Sequence, residues 1–149
     1  MKTTCEFPRS VLTWARRHGM LFPGSTVVCA LSGGADSMAL LTCLQALTGA
    51  EGFTLMAAHY NHQLRGEESR QDEAFVRAWC SKTGVPLFVG RGDVASRAAE
   101  TGQGLEETAR AMRYAFLEAN ARTQGAVLAT AHNADDNAET LLLHLIRGT

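Results

Sequence analysis

The chain has 149 residues, 46% of them hydrophobic and 19% charged, with 14 Lys and Arg against 15 Asp and Glu for a formal net charge of −1. That is the size and balance of one globular domain. It excludes a disordered or collagen-like chain, and also a segment that grips a polyanion by bulk charge, which requires clustered Lys and Arg. Only Lys2 and Lys82 are lysines, so almost all the positive charge is arginine, the residue suited to fixed bidentate contacts with carboxylates and phosphates. Cys5, Cys29, Cys43 and Cys80 form no C-x-x-C pair and no zinc or iron–sulfur spacing. Free thiols in a reducing cytoplasm are expected. The N-terminus lacks the apolar core of a signal peptide, and no stretch of about 18 apolar residues occurs. A soluble, cytoplasmic chain without a membrane partner is therefore expected.

In chain order, Val11 to His18 predicts a short amphipathic helix within an N-terminal helical segment, 1–24, and Pro23-Gly24-Ser25 a turn. Thr26–Leu31 reads as a buried strand, and after Ser32-Gly33-Gly34 the run 37–47 carries apolar residues at helical spacing until Thr48-Gly49. The alternation repeats, with a strand at 53–58, a polar loop, a helix from Glu67 to Thr83 closed by Gly84, and a strand at 86–89. Segment 90–104, with its scattered glycines, predicts a long mobile loop. A long helix then runs from Gly104 to about Gln124, a strand occupies 126–130, and a final helix is expected from Asp135 to Ile146. Strands alternating with helices define an α/β fold, a doubly wound, mostly parallel sheet of four strands. Ile146-Arg147-Gly148-Thr149 reads as the end of a helix with no following strand, so the domain 25–149 is expected to be truncated at its C-terminus.

In such sheets ligands bind beyond the carboxyl ends of the strands, so the loops that follow strands are the candidate sites. Ser32, Gly33, Gly34, Ala35, Asp36 and Ser37 form a strand-to-helix turn. Its glycines let backbone approach a ligand, and its helix N-terminus offers N–H groups to an anion. The P-loop lysine is absent. Asp36, a carboxylate beside phosphates, is a candidate magnesium ligand, although a glycine turn followed by an N-terminal acid is also an ordinary helix start. The next such loop carries His59 and His62, either a weak metal pair or a pocket for a nucleotide base. Glu106, Glu107, Arg110 and Arg113 stand three and four apart. They form either a solvated salt-bridged face or the place where one arginine neutralises charge on a phosphate or leaving group. After the last strand come His132, Asp135, Asp136 and Glu139. Asp135 suits a helix cap, whereas Asp136 and Glu139 suit a metal, the ammonium of an amine substrate, or general-base work on that amine.

The run Ser32–Ser37 resembles the loop of the N-type ATP pyrophosphatases, which split ATP between its α and β phosphates. Together with residues 59–69, 105–114 and 131–140, in that order, it resembles the tRNA(Ile)-lysidine synthetase family specifically. The resemblance implies a Rossmann-like fold of the adenine nucleotide α-hydrolase type. It also implies a reaction in which ATP adenylates C2 of the wobble cytidine of a CAU-anticodon isoleucine tRNA and L-lysine displaces AMP. It would give Ser32–Ser37 to ATP, with Asp36 near Mg2+, and the segment around His59 to the adenine pocket. Arg113, or else Arg110, would face the phosphate or the activated cytidine. Asp136 and Glu139 would serve lysine or metal, with His132 in the same catalytic motif. Asn137 stands where the family usually has glutamine. The family continues beyond Thr149 into a further glycine-rich motif and tRNA-binding domains, and a homodimer is one assembly open to it. Competing readings are a tRNA thiolase or another adenylating or amide-forming enzyme of the superfamily, an ATP-binding fragment inactive on its own, and a small phosphate-binding protein. Thiolases of this kind normally carry a C-x-x-C motif, which this chain lacks.

Overall fold

The computed structural model describes the backbone of residues 6–17, 19, 21, 23–133 and 141–147, and side chains within 10–131 other than positions 11, 12, 18, 20, 22, 50 and 51. The elements run α1 (Glu6–Arg17), β1 (Thr26–Leu31), α2 (Ala35–Glu51), β2 (Thr54–Asn61), α3 (Glu67–Thr83), β3 (Leu87–Arg91), α4 (Val94–Thr101), α5 (Leu105–Gln124), β4 (Val127–Asn133) and β5 (Leu141–Arg147). The sheet order is β3-β2-β1-β4-β5. β1 to β4 pair in parallel, with Leu31 level with His59 across β1 and β2. The strand order reverses between β1 and β4, which places a crevice at their carboxyl ends.

Alternation along β1 divides the core into two layers. Val27, Cys29 and Leu31 pack with Ala15 of α1, the apolar side chains of α2 (Leu40, Leu41, Leu44) and Val76 and Cys80 of α3. Val28 turns to the other face, onto Leu117 and Ala121 of α5. Cys29, Cys43 and Cys80 are free and buried, as expected; Cys5 lies outside the described residues. Burial holds the Cys43 thiol up at about 11 and pushes those of Cys29 and Cys80 upward as well.

Two expected elements are corrected. Over 90–104 a loop is expected, but β3 continues to Arg91 and α4 follows, because Asp93 caps it by accepting from the Ser96 N–H at 3.0 Å and Gly102 ends it at φ 73°. At the other end, 141–147 form a strand antiparallel to β4 rather than the end of a helix. A six-residue apolar run satisfies either periodicity, and here it pairs with the free edge of β4, making five strands where four are expected. Helix α2 also outruns Gly49, ending where Gly52 takes φ 68°. Among the described residues, no helix is long and apolar enough to cross a membrane.

Candidate functional site

A cleft with about 870 Å³ of empty space, its open mouth included, lies at the carboxyl ends of β1, β2 and β4. That is a size suited to a small-molecule ligand. Ser32 and Ser37, Ala58 to His62, Ser69 and Asp72 of α3, Arg113 of α5 and Thr130 of β4 line it.

The wall after β1 is shaped by its own serines. The buried Ser37 hydroxyl donates to the Gly34 carbonyl at 3.0 Å and accepts from the Ser32 N–H at 3.1 Å. The two serine oxygens lie 3.1 Å apart, and the Ser32 Oγ accepts from the Gly34 N–H at 3.2 Å. Gly34 caps α2 without a side-chain bond, and the first intrahelical bond runs from the Met38 N–H to Gly34. The N–H groups of Ala35, Asp36 and Ser37 therefore begin the helix without intrahelical acceptors, the arrangement that receives an anion. Gly33 stands at φ 90°, and a Cβ there would come within 3.2 Å of Asp72. Asp36 is a first-turn acid rather than the cap; of the run Ser32–Ser37, the two serines line the cleft and Gly33, Gly34, Ala35 and Asp36 do not.

The wall after β2 is held from further away. His59, 4% exposed, has its Nδ1 2.7 Å from the Leu31 carbonyl. A carbonyl oxygen only accepts, so Nδ1 is the donor in this bond. His62 Nδ1 accepts from the Leu64 N–H at 3.1 Å. Burial, reinforced by Arg65, Arg113 and His59 against the opposing pull of Asp72, holds the His62 imidazole below its ordinary value. Both histidines thus spend one ring nitrogen on backbone. Among the described residues no group of three or more His, Cys, Asp or Glu could hold a metal ion, so the metal reading of the pair gains nothing.

Beneath this wall, Asn61 donates to Glu73 Oε2 at 2.8 Å, and Arg77 donates to Oε1 at 3.0 Å. Arg91 of β3 clasps both carboxylate oxygens. Arginine hydrogen bonding outweighs burial and holds the Glu73 carboxyl down at about 2.

Arg113 lines the cleft and Arg110 does not, although both guanidinium groups lie over the Tyr114 ring, at 5.4 and 5.1 Å. His132 contributes backbone to β4, but its side chain lies outside the described residues, as do Asp135, Asp136 and Glu139 altogether. Asp72 and Glu73 escape sequence reasoning, and Asn61 and Ser69, inside the 59–69 motif, had no role assigned to them. One signal was available for Glu73: residues 69, 73, 76 and 80 form the buried face of α3, so an acid stands at a core position.

A mostly parallel sheet with a serine- and glycine-built anion cradle at its switch point defines a nucleotide-binding α/β protein of the doubly wound class. The sequence profile of the PP-loop domain family, ATP_bind_3, matches residues 8–149, and the chain belongs to that family. It is 46% identical over 145 residues to a tRNA(Ile)-lysidine synthase of Pseudothermotoga lettingae, covering 97% of this chain and 32% of that protein. Proteins of the same name from Dehalococcoides mccartyi and Bacillus subtilis are 42% and 37% identical, over 93% and 95% of this chain and 30% of each relative. The chain thus spans about a third of the length of the curated relatives it matches. Among solved structures, the U34-tRNA thiolase NcsA from Methanococcus maripaludis, with its [4Fe-4S] cluster, shares the fold. The TM-score is 0.72 at 21% identity, over 88% of this chain and 46% of that one.

Proposed function

We propose that this chain is the ATP-binding part of an enzyme that joins L-lysine to C2 of the wobble cytidine of a CAU-anticodon isoleucine tRNA. The observation that carries this reading is the identity of 37–46% to proteins named tRNA(Ile)-lysidine synthase, over 93–97% of the chain. The reading is supported further by the meeting of three of the four motifs, at Ser32–Ser37, His59–Ser69 and Arg113, around one cleft.

The cytidine O2 attacks the α-phosphorus of ATP and pyrophosphate leaves; the lysine side-chain amine then attacks C2, and AMP departs with that oxygen. In this scheme the N–H groups of Ala35 to Ser37 and the Ser32 hydroxyl hold phosphate oxygens, while Ser37 braces the loop. Arg113 neutralises charge that builds on the transferred phosphate. His59 and its neighbours hold the base end of the nucleotide. Asp36 suits magnesium, which takes one or two carboxylates and otherwise water and phosphate oxygens. When bound, magnesium would offset the charge of the leaving pyrophosphate. Asp136 and Glu139 receive the lysine ammonium and help remove its proton, with His132 belonging to the same sequence motif.

The test is ATP-dependent transfer of labelled lysine to a CAU-anticodon isoleucine tRNA by the protein in its natural reading frame, with and without Arg113→Ala. Transfer that falls by about 100-fold or more in the variant, with ATP affinity nearly kept, supports the assignment. No transfer by the intact protein, with ATP still bound, moves it to another adenylating enzyme.

A further inference from the structure

We propose that Glu73 is a positioning residue for the nucleotide cleft, tying the carboxyl ends of β2 and β3 to the first half of α3 and thereby fixing the wall that carries His59 and His62. This rests on the nucleotide-binding reading of the cleft. Glu73 is 5% exposed and does not itself line the cleft; its carboxylate reaches the lining through the hydrogen bond from Asn61. Through that contact it sets the loop, because the Asn61 side-chain Oδ1 accepts from the Gln63 N–H at 2.9 Å while its Nδ2 donates to the carboxylate. Gln63 is held at φ 58°, a left-handed conformation that glutamine adopts only under constraint. One turn earlier on α3, the Ser69 Oγ accepts from the Arg65 N–H at 3.2 Å, closing the same loop. Asp72, next to Glu73, lies against Gly33 of the phosphate loop.

The buried face of α3 therefore divides in two. Val76 and Cys80 hold the helix to the sheet by apolar packing, within the core cluster. Glu73 and Ser69 continue that face at the cleft end, where polar partners replace apolar ones. Loss of the Glu73 carboxylate leaves the apolar anchor in place and frees the half of α3 that faces the ligand. Loss of Val76 side-chain bulk does the reverse. A carboxylate retained only for stability would give no such separation, since stability is better served at a buried site by well-packed apolar groups.

The experiment compares wild type, Glu73→Ala, Glu73→Gln and Val76→Ala in the 149-residue chain, by calorimetric titration with ATP, by thermal unfolding, and by NMR titration of His62. The charges around that imidazole are Arg65, Arg113, His59 and Asp72. Glu73→Ala is expected to weaken ATP binding about tenfold, the scale of one lost charge-assisted hydrogen bond. Val76→Ala lowers the unfolding midpoint but leaves ATP affinity within twofold. Glu73→Gln keeps one acceptor for Asn61 and falls between wild type and Glu73→Ala, which also covers a failure of the alanine variant to fold. Removing a negative charge would by itself lower the His62 pKa, whereas a loosened wall rehydrates the ring and raises it, so a rise is the expected sign. The proposal is overturned if folded Glu73 variants bind ATP as wild type does, if affinity in all variants simply tracks stability, or if the His62 pKa falls or stays put. Wild type that binds no ATP defeats the nucleotide reading instead, and the His62 titration then decides whether Glu73 sets the wall.

Discussion

Between Ser32 and Ser37, one wall of the cleft is shaped by hydrogen bonds that span at most five residues of sequence. The wall from His59 to Ser69 depends on partners 28 residues away for His59 and, through Glu73, on an arginine 18 residues further along. The first wall is a property of a hexapeptide placed at a strand end; the second exists only once β1, β2, β3 and α3 have assembled. Substitutions in the first should therefore change ligand affinity with little loss of stability, and substitutions under the second should change both.

Gly92→Ala gives the largest expected effect on the second wall. A Cβ at Gly92 would overlap the Tyr60 hydroxyl and sit 2.7 Å from Met112, so Tyr60, which lines the cleft, must shift. A loss of about 3 kcal/mol in urea denaturation is expected, the upper end for overpacking, together with weaker ATP binding. Unchanged stability would mean that the Tyr60 side of the cleft adapts as freely as a surface loop. Ser37→Ala comes next and acts on the first wall. It removes the hydroxyl that bridges Ser32 and Gly34; water can serve those part-buried groups in the open cleft but not under bound ATP, so the cost, about 2 kcal/mol or roughly 30-fold in Kd, falls on binding. An equal drop in unfolding free energy would erase the contrast between the walls.

Acid should reach the second wall through Glu73. The folded-state pKa of Glu73 lies near 2, against an ordinary value of 4.5. Its contribution is therefore complete above about pH 4.5 and is lost as pH falls toward 2. At about 1.4 kcal/mol per unit the ceiling is about 3 kcal/mol, and about 1–2 kcal/mol remains after allowing for two half-exposed arginine partners. Denaturation of wild type and Glu73→Gln across this range checks it, since the variant should lack that part of the slope. The smallest effect is the slow reaction of Cys29, Cys43 and Cys80. All are buried thiols held in their protonated form, so alkylation at pH 8, mapped by mass spectrometry, should wait for unfolding. Rapid labelling of Cys43 with ATP affinity intact would show that α2 opens without disturbing the phosphate loop at its start.

Sequence alone determined the alternation of strands and helices, because apolar periodicity and glycine stops are local. It marked Glu67–Thr83 to the residue, with Gly84 as the left-handed stop. It also marked Ser32–Ser37, whose chemistry needs only a strand before it and a helix after it. The four motifs carried the family likeness for the same reason: each is contiguous. Tertiary structure decided what distance in sequence conceals. The apolar run 141–147 became a strand because an unpaired β4 edge was available to it, which no local pattern records. Arg113 rather than Arg110 lines the cleft because α5 packs Leu117 and Ala121 against β1, and that contact fixes which side of the helix meets the ligand. Glu73 gained its partners because parallel pairing brings Asn61 level with Arg91. A carboxylate becomes tolerable at a core position only when the fold delivers that many donors to it at once.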